Sequence, residues 1–116
     1  MLRIDNVTFD CADPRPLAEF WSQALGFTIK EVSEFIAVLE PPTVGQPNLL
    51  FIKVTGPRTA KNRVHLDLLA DDREAEVERL TGLGATRRDT FDEYGVNWTV
   101  LQDPEGNELC VGQGST

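Results

Sequence analysis

The one histidine of the chain, His65, stands two residues before Asp67 in the stretch "RVHLDLLADD". Side chains at i and i+2 of a strand leave the same face. Imidazole and carboxylate can therefore meet, and a carboxylate that orients an imidazole makes a general base. The same ring is the commonest nitrogen ligand for a divalent metal. The plainest use of His65 is a hydrogen bond within a ligand groove, and acid–base work with Asp67 stands beside it. Cys110 in "ELCVG" offers a thiol. No basic neighbour in sequence activates it, so it reads first as a small buried filler and second as a groove residue. Trp98 in "VNWTVLQ" and Tyr94 just before it supply aromatic surface of the kind that holds flat ligands.

These residues need strands to carry them, and alternation provides the strands. In "IDNVTFDC" Val7, Phe9 and Cys11 share one parity and belong to a core, while Asn6, Thr8 and Asp10 share the other. A helix follows, with Asp13 as N-cap, Pro14 at its first position, Leu17, Phe20, Trp21 and Leu25 at helical spacing, and Gly26 as the stop. Phe20 and Trp21 are core residues of that helix. Short strands "FTIKEV", "FIAVLEPP" and "NLLFIKV" come next, separated by Pro and Gly. The second half repeats the order. "RVHLDLLA" alternates, Asp71 or Asp72 caps a helix with apolar Ala75, Leu80 and Leu83, and Gly84 ends it. "TRRDTFDE", "VNWTVLQ" and "ELCVG" then read as strands, the last preceded by the turn "DPEGN", where Asp103, Gly106 and Asn107 are structural. The acidic Glu74, Glu76 and Glu78 read as a solvated helix face without a role.

A slide of about 59 positions lays Asn6 over His65, Asp13 over Asp72 and Asn48 over Asn107, so the order of elements repeats. The expected fold is α+β: two tandem βαβββ modules, residues 1–54 and 64–116, joined by a polar linker at 55–63. Each helix covers one face of its own sheet. The faces left over are expected to form a curved mixed sheet, helices outside, with a concave ligand groove. Asn6, Thr8, His65, Trp98 and Cys110 are its candidate ligand-binding residues, and His65 and Asp67 its candidate catalytic pair.

A length of 116 residues suits one domain. The net charge of −8 and dispersed basic residues such as Arg3, Lys30, Lys53, Arg58 and Arg87 argue against nucleic acid and membrane as partners. No apolar run approaches the roughly 20 residues of a membrane span. With two distant cysteines read as reduced thiols, the expectation is a cytoplasmic protein.

The stretches "IDNVTFDCADPRPLAEFWSQALGF", "RVHLDLLADDREAEVERLTGLGA" and "DPEGNELCV" together resemble the vicinal oxygen chelate superfamily of glyoxalases, bleomycin-resistance proteins and extradiol dioxygenases. The resemblance implies a homodimer and a small organic ligand. In metal-dependent members it also implies four ligands, a His or Gln from each half's opening strand and a Glu from each closing strand. Here the opening positions hold Asn6 and His65. The second closing position, four residues after Gly106, holds Cys110, and the first falls on Phe51 or Ile52. Only His65 matches, so no metal cofactor is expected, and glyoxalase I or extradiol dioxygenase activity is disfavoured. Two readings remain: a binding module for a small organic molecule without the usual metal site, or a lyase or isomerase of glyoxalase type acting through His65 with help from Asp67 or Cys110, with or without a divalent metal.

Overall fold

The computed structural model describes Met1 and residues 4–56, 64–93 and 95–114, with Val96 described by its backbone alone. Tyr94 and most of the linker lie outside the described residues. The chain divides into two compact units, Met1–Arg58 and Thr59–Thr116.

In the first unit the order is β1 (Asn6–Cys11), α1 (Pro14–Leu25), β2 (Thr28–Val32), β3 (Ile36–Glu40) and β4 (Asn48–Lys53). The sheet runs β1-β4-β3-β2, with β1 and β4 parallel and the other pairs antiparallel. A helix between β1 and β2 is what allows β1 to lie parallel to β4 without a hairpin. Asp13 is extended at the N-cap, Pro14 follows at the first turn, and Gly26 ends α1 at φ 73°, a left-handed conformation that glycine adopts without strain. The buried side of α1 (Leu17, Ala18, Phe20, Trp21, Ala24) covers a sheet face carrying Ala37, Leu39, Leu49 and Phe51. Aromatic rings dominate this core: Phe9 lies 5.5 Å from Trp21 and 5.1 Å from Phe51, and Phe20 meets Trp21 edge-on at 5.4 Å.

The second unit repeats the plan with β5 (Leu66–Ala70), α2 (Arg73–Leu83), β6 (Thr86–Glu93), β7 (Val96–Gln102) and β8 (Glu108–Gln113), in sheet order β5-β8-β7-β6. The fold is therefore α+β, two tandem βαβββ modules with two four-stranded mixed sheets, and neither sheet closes into a barrel among the described residues. Asp72 is the cap of α2, its carboxylate accepting from the Ala75 amide at 3.1 Å. Gln113 adds to that cap, its side-chain oxygen accepting from the Arg73 amide at 2.8 Å. The core beneath α2 is aliphatic: Val77, Leu80, Leu101, Leu109 and Val111. Ala75, expected on the apolar side, is exposed, and Val77 takes that place. Five residues before Leu80, Ala75 is rotated about 140° around the helix axis, whereas Val77 at three residues shares the stripe.

The turn before β8 is built as expected. Asp103 Oδ1 accepts from the amides of Glu105 and Asn107, both at 2.9 Å, and Asn107 Nδ2 donates to Asp103 Oδ2 at 2.9 Å. Gly106 stands at φ 83° inside it.

Glu74, to which the sequence assigned no role, proves to be a hub. It accepts from Arg73 at 2.7 Å and from both terminal nitrogens of Arg87 at 3.0 and 2.8 Å. Hydrogen bonds from Arg87 first, then Arg73, hold its carboxyl at about 2, well below the usual carboxylate range. Arg73 continues inward and donates to Thr99 Oγ1 at 2.6 Å, and Thr99 pairs with Thr90 at 2.9 Å. Sequence spacing could not show this network, because its members sit on α2, β6 and β7.

Candidate functional site

Strand parity divides each sheet into a face beneath its helix and a face turned away. In the second unit the latter carries His65, Asp67 and Leu69 from β5 and the residue before it, Cys110 and Gly112 from β8, and Trp98 and Val100 from β7. The ladders fix this arrangement: Asp67 pairs with Cys110 and Leu69 with Gly112 in the parallel register, while Cys110 pairs with Val100 and Gly112 with Trp98 in the antiparallel one. Sequence residues 43 apart are thus brought side by side by backbone hydrogen bonding rather than by any motif.

These residues line a cavity of about 590 Å³, to which Glu108 also contributes. At its polar corner His65 Nδ1 lies 3.0 Å from Asp67 Oδ1. One ligand atom each from His65, Asp67 and Cys110 falls within 4.8 Å of the others. Glu108 adds a second carboxylate, and the other walls are apolar: Leu69, Val100 and Trp98, whose ring stacks on Phe91 with centroids 5.3 Å apart and planes 26° from parallel. Gly112 forms the gap between Leu69 and Trp98. A Cβ built there would find its nearest neighbours at 3.8–3.9 Å, so backbone strain does not require glycine. What the absent side chain leaves is space.

Four residues singled out from the sequence, His65, Asp67, Trp98 and Cys110, therefore share one cavity. Cys110 is half-buried there rather than a filler of the core, whereas Cys11 is buried as read. Asn6 and Thr8 stand on the exposed side of β1 in the first unit, where Asn6 Nδ2 donates to Asp5 Oδ2 at 3.1 Å. The described residues that line this cavity belong to the second unit. Leu69, Val100, Glu108 and Gly112 were not among the sequence candidates. Period-two alternation from Trp98 and Cys110 was the signal that could have found the last three.

Register also corrects one equivalence. Burial along β4 (Asn48–Lys53) and β8 (Glu108–Gln113) matches residue for residue in the first four positions, and each strand pairs with its unit's opening strand. Asn48 therefore corresponds to Glu108, not Asn107. The counterpart of Cys110 is Leu50, which pairs with Thr8 as Cys110 pairs with Asp67. Phe51, one of the two residues expected there, is fully buried on the helix side, and Ile52 corresponds to Gly112. The last strand of the repeat is offset by 60 rather than 59: the hairpin from Thr86 to Gln102 is four residues longer than that from Thr28 to Glu40, which outweighs a following loop two residues shorter (103–107 against 41–47). The four positions of the metal-dependent members thus hold Asn6, Leu50, His65 and Cys110. An amide is a weak donor and leucine is none, so that four-strand set does not fit a metal ion.

Two tandem βαβββ modules, each with one sheet face turned away from its helix, define the class of fold. The family model for the glyoxalase-like domain matches residues 6–112. The chain belongs to this glyoxalase-like family, within the vicinal oxygen chelate superfamily. None of the curated proteins compared with it matches. Among solved structures it is similar to a glyoxalase/bleomycin resistance protein/dioxygenase family enzyme from Burkholderia phytofirmans PsJN, at 21% identity over 97% of this chain and 98% of that one, TM-score 0.79. It is similar to a lactoylglutathione lyase from Agrobacterium tumefaciens, at 17% identity over 97% and 93%, TM-score 0.69. A bleomycin-binding protein from Streptomyces verticillus, complexed with copper(II)-bleomycin, aligns at 15% identity over 99% and 98%, TM-score 0.67. At these identities the likeness is one of fold.

Proposed function

We propose that the protein binds a small organic molecule in the cavity of its second unit, with a flat apolar portion against Trp98 and a polar group at His65 and Asp67. The observation that carries this reading is the cavity itself: about 590 Å³ with apolar walls and one polar corner. Small-molecule sites typically measure roughly 300–1,000 Å³ and have that composition. A stacked aromatic wall favours a planar partner over a flexible aliphatic one. That a protein of this fold is described in complex with copper(II)-bleomycin supports reading the fold as a holder of organic ligands. A homodimer in the cytoplasm, expected from the resemblance and the composition, belongs to the same proposal, and sedimentation equilibrium checks the dimer.

The test is a thermal-shift screen of flat aromatic and antibiotic-like compounds on metal-stripped protein. A true ligand at 100 times its Kd adds about 2.7 kcal/mol of stability. Stabilisation that disappears when the cavity is filled by Gly112→Ile supports the reading. A screen without any shift counts against it.

The contact between His65 and Asp67 favours a second reading, a lyase or isomerase of glyoxalase type. Asp67 would orient the ring, and His65 would take a proton from carbon next to a carbonyl. Turnover unaffected by His65→Ala removes it.

A further inference from the structure

We infer that His65, Asp67 and Cys110 form a three-donor site for a borderline-soft divalent ion, zinc above all, contained within the second unit. This goes beyond the reading of an organic ligand and does not depend on it. It also departs from the expectation of a metal-free groove, which rested on His65 as the single matching position. The ladder sets Asp67 and Cys110 beside it.

One ligand atom from each residue lies within 4.8 Å of the others. The set joins an imidazole nitrogen, a carboxylate oxygen and a thiolate sulfur, which favours zinc over magnesium, calcium or manganese, ions that prefer oxygen alone. Three protein ligands with a fourth position open is the arrangement of catalytic zinc sites. Donors around tetrahedral zinc lie about 3.3–3.7 Å apart by the usual bond lengths. The spread here must contract by about 1 Å, and the half-exposed side chains of His65 and Asp67, at 43% and 73%, have room to turn.

Backbone geometry holds the donors in register. Asp67 and Cys110 are direct ladder partners, and His65 precedes Asp67 by two residues on the same face. The cavity opens beside the cluster, so an oxygen or nitrogen of a bound organic molecule can take the fourth position. Asp67 is not one of the four positions that metal-dependent relatives use, and neither Asn6 nor Leu50 is needed. The proposed site therefore keeps two of those four positions, His65 and Cys110, and takes its third donor, Asp67, from outside them.

The test starts from protein purified without an affinity tag and stripped with a chelator, with no organic compound present. Zinc is titrated against a chromophoric competitor, and stoichiometry is read by native mass spectrometry. We expect one ion per chain, and with cobalt(II) a thiolate-to-metal charge-transfer band that Cys110→Ser abolishes. Asp67→Ala should weaken zinc binding by about tenfold or more, while Asn6→Ala leaves it unchanged. Failure to take up one ion, equal affinity in Asp67→Ala, or an Asn6→Ala loss as large as that of Asp67→Ala overturns the proposal. Circular dichroism of each variant separates lost ligation from lost folding. Because the compound screen above uses stripped protein, a failed metal titration leaves its outcome untouched, and the reverse also holds.

Discussion

The two modules share one backbone plan and use it for different ends. On the faces turned away from the helices, the ladders set Asn6 against His65, Thr8 against Asp67, Leu50 against Cys110, Ile52 against Gly112 and Ile36 against Trp98. Among these matched pairs the imidazole, the carboxylate and the thiol all fall in the second unit, and so does Gly112, which lines the cavity. Beneath the helices the contrast continues. Trp21 corresponds to Leu80, Phe9 to Leu68 and Ala37 to Thr99. The first unit invests in aromatic packing, while the second carries a buried polar network. Repeated backbone hydrogen bonding thus fixes where side chains stand, and substitution at matched positions decides which copy carries the polar cluster and the cavity.

The largest effect is expected where the first module's packing is removed. Trp21 is fully buried and touches Phe9 and Phe20. Trp21→Ala should cost about 3–5 kcal/mol in denaturant unfolding, since aromatic truncation loses transfer energy and leaves a cavity. Leu80→Ala, the matched change in the second unit, should cost less, near the lower end of about 2–5 kcal/mol. Equal losses would mean that the aromatic core holds no more of the stability than the aliphatic one.

The next effect writes the first module into the second. Gly112→Ile installs the residue of its counterpart, Ile52, on a strand where a β-branched side chain is favoured and the nearest atoms leave room for a Cβ. The side chain then projects between Leu69 and Trp98. Unfolding free energy should change by less than about 1 kcal/mol, while binding of any compound found by the screen should fall by about 100-fold or more, equivalent to about 2.7 kcal/mol. Isothermal titration beside a denaturation curve separates the two. Binding that survives intact would move the ligand out of this cavity.

The fold was legible in the sequence because alternation, N-caps and terminating glycines are local signals. Asp72, Gly26 and Gly84 marked their helix ends correctly. Ala75 was misread because composition suggests an apolar face that rotation about the helix axis does not deliver. The site was legible only in part. His65 with Asp67 follows from spacing within one strand, and Cys110 came from the family turn. The third-donor role of Asp67 needs the parallel pairing of β5 with β8, which no local stretch encodes. Leu50 was hidden by hairpin and loop lengths that differ between the halves in opposite senses, invisible until hydrogen bonding set the register.

A smaller effect distinguishes the helix-facing sides. Thr99 is fully buried and its hydroxyl accepts from Arg73 while pairing with Thr90. Thr99→Val keeps the shape and removes the partner, which should cost about 1–2 kcal/mol because the half-buried guanidinium of Arg73 loses one of the two acceptors of Nη1 and keeps only Glu74. Ala37→Ser at the matched position of the first unit creates no such bond. If Thr99→Val is neutral by thermal unfolding, the network is dispensable and the contrast between the units rests on the cavity face alone.

The smallest effect is a dependence on pH. The carboxyl of Glu74 sits at about 2 in the folded chain against an ordinary value of 4.5, through its hydrogen bonds to Arg87 and Arg73. A carboxylate held low binds its proton less readily folded than unfolded, so folding is favoured above the unfolded value. That contribution is complete above about pH 4.5 and disappears as pH falls toward about 2. Glu74 is solvent-accessible, so screening keeps the effect small and salt reduces it further. Glu74→Gln should therefore flatten the acid limb of stability between those pH values while leaving neutral stability only slightly lower. Urea midpoints measured at pH 3 and pH 6, at low and high salt, supply the comparison. An unchanged pH slope would show that the acid limb is set by other carboxylates.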